Sequence, residues 1–427
     1  MTPDSLWNAT AIPTPTLPPL QGDQHCDVAI VGGGFTGMAA AHRLVKAGQE
    51  PIVLEANSIA WGASGRNGGV VSPKFRVSFA GMMAKHGREA ALHMYKLGYT
   101  AIDALAENID TLGLHEAQLT LGGHIAAAHT EHALQGLQST ADWIRRETGG
   151  TSSVVISRDQ VRELTGSALY YGGLLTPKAG GIHPLNYARG LARTLMERNV
   201  KLYVNSPVLT VQPEQGRFRL RTHTGSVLAK RVIYATNGHS DQTHLTDSLH
   251  RRLIPFRSAI IATEPLAPDV LARIMPGGQV CGDTKRMLRW FRVVGDRLIF
   301  GGRGAFGKAD SESAFRDLQR SMGTVFPLLA ETRIDYRWSG LVAMTLDYLP
   351  HAGQLSDGQL YAIGYNGGGV ALSTYLGQQV AAMSLGEKAD VGLMVAQGFN
   401  PIPLHAFRAP GVRVAAGWQQ FLDVIGR

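Results

Sequence analysis

Three glycines, at positions 32, 34 and 37, follow the apolar run Val28–Val31 and open a helical pattern. A second apolar run then ends on Glu55. Strand, tight turn, helix and strand therefore fit inside about thirty residues, the setting in which a glycine pattern reads as a dinucleotide-phosphate site. Gly32 permits the sharp turn. Gly34 lets the backbone approach a pyrophosphate, and Gly37 lets the helix lie close on its strand. With Phe35 and Thr36, they turn the free N–H groups and positive dipole of the helix N-terminus toward phosphate. Glu55, with Ala56 beside it, stands where ribose hydroxyls would be held; its carboxylate would repel a 2′-phosphate.

Residues 61–69, WGASGRNGG, separate two kinds of dinucleotide. A nicotinamide-binding unit would continue into an amphipathic helix here. This chain inserts a loop of small residues, Gly62, Ala63, Gly68 and Gly69, with Ser64, Arg66 and Asn67 as hydrogen-bonding groups. Such a loop suits close approach of a large flat ligand, which points to FAD rather than NAD. Two later segments fit the same ligand. The strand-like run Leu228–Ala235 ends in Ala235, Thr236, Asn237 and Gly238, small residues suited to a pyrophosphate or ribose. The turn Gly364, Tyr365, Asn366, Gly367, Gly368, Gly369, Val370 feeds a helical pattern running to Met383. A helix N-terminus there would stabilise negative charge near flavin N1 and the C2 carbonyl.

These blocks resemble the D-amino-acid-oxidase-like superfamily of FAD amine oxidoreductases, and within it the γ-glutamylputrescine oxidase branch. The resemblance rests on SLWNATAIPTPTLPPLQGD before the first strand, GASGRNGG at 62–69 and YATNGH at 234–239. It rests also on GDRLIFGGR at 295–303, WSGLVAMTLDYLPHAG at 338–353, which holds Gly340, and GYNGGGVALSTYLGQ at 364–378. It implies an α/β fold: a Rossmann-like, GR2-type FAD-binding domain interleaved with an α+β substrate domain built on an antiparallel sheet. It implies that Val208 binds adenine through its backbone. Asp347 would anchor the ribityl chain or nearby backbone, or serve only a turn. The sarcosine-oxidase branch carries its cofactor-linking Cys where this chain has Ala343, so FAD is expected to be non-covalent. That branch's carboxylate-binding Lys falls on Ala371 and its oxygen-activating Lys near Ile299, which argues against N-methylglycine as substrate.

The implied chemistry is oxidation of a C–N bond. Hydride passes from an amine to flavin N5, and the imine hydrolyses to a carbonyl, with O2 reduced to H2O2. The protein orients the amine, excludes water and tunes the flavin. The alternatives are a dehydrogenase passing electrons to a quinone or protein, and a non-catalytic FAD-carrying subunit. Pocket candidates are Arg66, Arg289, Trp290, Arg292, Trp338, His351 and Tyr365. Trp290 and Tyr365 would shape a slot for an alkylamine. Arg289 or Arg292 would grip a distal carboxylate such as that of a γ-glutamyl group. Strand alternation puts Trp290 and Arg292 on one side and Arg289 on the other, so only one arginine fits. His351 follows Pro350 and serves either the flavin face or the backbone.

The surrounding chain sets bounds. It has 427 residues, 44% of them hydrophobic, enough for a large core or two domains. Cys26 and Cys281 are the only cysteines, which excludes a disulfide framework or a zinc cluster and suits the reducing cytoplasm. No run approaches the ~18 apolar residues of a membrane span, and none of the scattered basic residues behind the net charge of +8 forms an aromatic-interleaved tract for nucleic acid. The expected order is an extended surface arm over 1–25, an FAD domain over 26–90, 151–240 and 335–390, and a substrate domain over 91–150 and 241–334. Residues 391–427 would cross the domain interface or support a homo-oligomer. Polyamine catabolism is the expected setting.

Overall fold

A computed structural model of the chain describes residues 4–240, 247–303, 312–395, 399–403 and 405. Most of the 391–427 segment, and with it the expectation of an interface or oligomer role, lies outside the described residues.

The apolar run at 28–30 is buried on both faces, as a strand flanked by helices must be. It sits in the strand Gly22–Val31, which pairs in parallel with Pro51–Leu54 on one side and Gly225–Tyr234 on the other. Lys201–Tyr203 and Leu360–Ile363 extend this sheet in parallel. His351–Gln354 closes one edge antiparallel, and a hairpin, Thr210–Glu214 with Arg217–Arg221, leans on Gly225–Tyr234. The helix Phe35–Lys46 crosses over the sheet and packs against the helix Gly369–Ser384. A Cβ on Gly377 would lie 2.4 Å from the Thr36 carbonyl oxygen, so only glycine allows these helices to touch.

A second sheet runs in the order Ile334–Met344, Ile254–Thr263, Arg297–Arg303, Arg289–Val294, Val280–Asp283, His124–Ala127, Gly173–Thr176, Val154–Ile156. All its pairings are antiparallel except that of Val280–Asp283 with His124–Ala127. Its core holds Phe291, Phe300 and Phe326, with the rings of Phe291 and Phe300 stacked at 5.6 Å. A two-stranded ladder, Val70–Val71 with Gly180–Gly181, completes the strands. No described helix is long and apolar enough to cross a membrane.

Three expectations change. Residues 151–176 were expected with the first sheet, yet Val154–Ile156 and Gly173–Thr176 build the far edge of the second, burying Ile156 and Tyr170 there. Likewise the early part of 335–390 is the long strand Ile334–Met344, in register with Ile254–Thr263 of the second sheet. The N-terminal arm is a surface wrap only in part: residues 11–19 run irregular and exposed or half-exposed, but both ends of that stretch are anchored. Residues Leu6–Thr10 form a short helix whose Leu6 and Trp7 are buried, and Leu20 is buried too.

Gly377→Leu is expected to cost about 1–3 kcal/mol through overpacking, read as a lower urea midpoint at unchanged slope. A midpoint equal to wild type would contradict the helix contact described here.

Candidate active site

The carboxyl ends of the parallel strands open onto a cavity of about 940 Å³ that reaches to Gly282 and Trp290 of the second sheet. Gly32, Gly34, Phe35, Thr36, Glu55, Ala56, Gly62, Ala63, Ser64, Arg66, Asn67, Gly68, Val208, Ala235, Thr236, Asn237, Gly340, Asn366, Gly367, Gly368, Gly369 and Val370 all line it. This is the crevice in which an open parallel sheet holds a dinucleotide.

Its walls are backbone held in place by side chains. Gly34 is the N-cap of the helix Phe35–Lys46 and brings no side-chain cap of its own. Ser64 supplies one from the 61–69 loop, accepting from the Phe35 N–H at 3.0 Å. A Cβ on Gly34 would lie 2.8 Å from that hydroxyl. Gly37 packs rather than lines: its Cβ would lie 2.0 Å from the Gly32 carbonyl oxygen. Glu55 accepts the Gly33 N–H at 2.7 Å with one oxygen and the Asn57 N–H at 2.9 Å with the other. Each oxygen keeps a second lone pair for a ribose hydroxyl. Burial in the cavity wall pushes the Glu55 pKa up against the pull of those amides.

Asn67 ties its own loop. Its amide donates to the carbonyls of Ala63 and Ser64 at 3.0 and 2.9 Å and accepts the Gly69 N–H at 2.7 Å. Two further asparagines, both with left-handed backbone that this residue tolerates, join strand ends. Asn237, at φ 44°, accepts the Gly364 N–H at 2.9 Å. Asn366, at φ 55°, accepts the Thr345 N–H at 2.9 Å and donates to the Gly364 carbonyl at 2.6 Å. Gly364 itself does not line the cavity; it is the knot where both asparagines meet. Gly69 and Gly238 also sit behind the lining. Gly69 faces Arg292 and Ile182, and Gly238 faces Leu341.

Of the pocket candidates, Arg66, Trp290 and Tyr365 reach the cavity. The Arg66 guanidinium lies 4.6 Å above the Trp61 ring, with Nε donating to the Trp61 carbonyl at 2.7 Å. Glycines 68 and 301 leave room for the Trp290 indole; a Cβ on either would approach it within 2.2 Å. The Tyr365 hydroxyl bonds Thr36 Oγ1 at 2.7 Å, joining the Gly364–Val370 turn to the start of the helix Phe35–Lys46.

The others are corrected. Arg292 is buried, and its guanidinium donates to the carbonyls of Gly68 at 3.1 Å and Ile182 at 2.6 Å, beneath the Trp7 ring. Burial pulls its pKa down to about 10. Arg289 points the other way, to Ser321 and the Met287 carbonyl. Both arginines are thus occupied by the protein. Trp338 is buried, donating to the Arg66 carbonyl at 3.0 Å. His351 is buried between Asp347, at 3.0 Å, and the Val395 carbonyl, at 2.7 Å, and stacks on Phe399. Asp347 also accepts the Leu349 N–H at 3.2 Å and stands off the cavity, which is its turn role. Cys26 and Cys281, both buried, are absent from the lining.

Sequence reasoning missed Lys74 and His124. Both line the cavity, with Lys74 Nζ 3.3 Å from His124 Nδ1. They stand 50 residues apart and belong to no motif, so only the fold unites them.

Gly34→Val is expected to abolish FAD retention, because the new side chain displaces Ser64 and fills the phosphate approach. Visible absorbance per chain measures this, and a full yellow complement would refute the placement. Arg292→Met separates a bracing role from a substrate role. Reduced flavin content and a lower thermal midpoint are expected, whereas a fully flavinated, equally stable variant with only a raised KM would restore Arg292 as a substrate ligand.

Comparisons with known proteins place the chain in a family. A family model described as FAD dependent oxidoreductase, DAO, matches residues 27–383. A probable oxidoreductase, OrdL, from Haemophilus influenzae is 30% identical over 415 residues, covering 95% of this chain and 94% of its own. The γ-glutamylputrescine oxidoreductase of Escherichia coli is 28% identical over 403 residues, covering 94% of this chain and 93% of its own. In fold, the crystal structure of glycine oxidase from Geobacillus kaustophilus matches with a TM-score of 0.72 at 20% identity, over 89% of this chain and 99% of that one. The chain belongs to the DAO family of FAD-dependent oxidoreductases.

Proposed function

We propose that this enzyme oxidises the C–N bond of an amine, of the class represented by γ-glutamylated polyamines, alkylamines or amino acids. The observation that carries this reading is the single cavity, which joins the dinucleotide cradle of the first sheet to a chamber on the second sheet. A ligand in that chamber lies against whatever the cradle holds, which is the arrangement that transfer between cofactor and substrate requires.

FAD, when bound, supplies the hydride acceptor. Its phosphates would be held by the Gly32–Gly34 turn and the Thr36 amide, its ribose by Glu55, and its adenine beside Val208. Its ring system would lie along Gly62–Gly68 and the Gly364–Val370 turn. The protein's remaining work is done by its own groups. Trp290, from the second sheet, and Tyr365, bonded to Thr36 on the first-sheet side, both line the cavity and would orient an alkyl chain. Backbone N–H groups at the start of the helix Gly369–Ser384 place positive dipole at the turn, favouring negative charge there. No residue is required as a strong base if the amine binds neutral. The similarity to γ-glutamylputrescine oxidoreductase supports the choice of amine class.

The test is anaerobic bleaching of the holoenzyme's visible spectrum with γ-glutamylputrescine, putrescine, sarcosine and several D-amino acids. Selective bleaching by one amine class is expected, and a spectrum unmoved by all of them would count against the reading. H2O2 formed at full rate without added dye identifies O2 as acceptor; turnover only with dye identifies a dehydrogenase.

A further inference from the structure

Arg289 and Arg292 are committed to backbone or remote partners; among the basic residues that do line the cavity, Lys74 and His124 meet each other. Lys74 follows the short strand Val70–Val71, and its carbonyl oxygen lies 3.6 Å from where a Gly368 Cβ would stand, beside the glycine turn. Its side chain crosses to the second sheet and meets His124 Nδ1 at 3.3 Å. Lys74 carries three N–H donors, so Nδ1 must be the acceptor. That fixes the neutral imidazole with its proton on Nε2. No acidic side chain is bonded to either group among the described residues; the His124 ring also meets its own backbone.

Each group is half-buried and lines the cavity. Desolvation accordingly pulls the Lys74 pKa down to about 8 and that of His124 well below its ordinary value. The neighbouring Cys281 thiol, itself pushed well up by burial, supplies no counter-charge. Asp283, on the same strand as Cys281, spends one oxygen on the N–H groups of Arg289, at 2.9 Å, and Lys285, at 3.2 Å. A buried ammonium without an anion is costly, and one facing a cavity is completed by an anionic ligand.

We propose that Lys74 and His124 form the seat of a carboxylate carried by the amine substrate. Lys74 gives a charge-assisted hydrogen bond to one oxygen, and His124 Nε2–H donates to the carboxylate from the second sheet. The seat selects amines that bear an acid group over plain diamines. The inference rests on the amine reading for the substrate's other end, but not for the anion itself.

The test separates the two. Pentanoate and pentanamide, neither of which has an oxidisable amine, are titrated into the holoenzyme, and binding is read from the visible flavin spectrum. Pentanoate is expected to bind about 10-fold or more tightly than its amide, as a charged hydrogen bond warrants. Lys74→Met should erase that preference while leaving pentanamide binding unchanged, and Lys74→Arg should keep it. His124→Gln, which leaves the ammonium in place, should reduce it partially. Equal binding of the two ligands to wild type overturns the proposal. So does a Lys74→Met holoenzyme that still prefers pentanoate, even if its turnover falls, because Lys74 would then serve the reaction rather than the anion. Failure of the amine panel to bleach the flavin leaves this outcome untouched.

Discussion

One guanidinium joins the two halves of this molecule. Arg292 leaves a strand of the second sheet, passes under the glycine loop of the first half and donates to the carbonyls of Gly68 and Ile182. No carboxylate pairs with it among the described residues, so its charge is spread over carbonyl dipoles and the face of Trp7. The loop it supports has few alternatives. Residues 62–69 carry little apolar surface, and beyond the bonds of Ser64, Arg66 and Asn67 the loop has only glycine and alanine with which to anchor itself. Its position must come from outside. Arg292 holds it from below, Ser64 pins it to the first helix, and Trp7 and Trp338 donate to the carbonyls of Asn67 and Arg66.

A rule of allocation follows. A flat cofactor is best met by backbone, because backbone approaches closely and its N–H groups are already oriented. The side chains that accompany such a wall then serve the wall. Asn67, Asn237, Asn366 and Ser64 each spend hydrogen bonds on main chain. Glu55 does the same with both oxygens while keeping lone pairs for ribose.

This allocation explains what could be read from residues alone. The dinucleotide unit was legible because its signals are local: a turn, a helix start and an acid within one supersecondary element. The 61–69 loop and the 364–370 turn were legible for the same reason. Depth was not. Alternation along Arg289–Val294 correctly separates Arg289 from Trp290 and Arg292, yet it cannot say that Trp290 reaches the cavity while Arg292 stops at a carbonyl. Trp338 shows the same limit, since an indole satisfied by one backbone oxygen looks in sequence like one awaiting a ligand, and of the two roles open to His351 the structure shows the backbone one, shared with Asp347. The sheet assignment of 151–176 failed because two short strands take their identity from the partner they pair with. Lys74 and His124 carry no signal before folding.

The short helix at Leu6–Thr10 has a consequence for how the chain matures. Trp7 is made among the first residues, yet it docks on Asn67, His183, Trp338 and Arg292, the last two of them from the far sheet. A chain growing from its N-terminus must therefore leave this helix undocked until more than three quarters of its length has been synthesised. The keystone is cast first and set last, and until it is set the glycine loop lacks one of its supports.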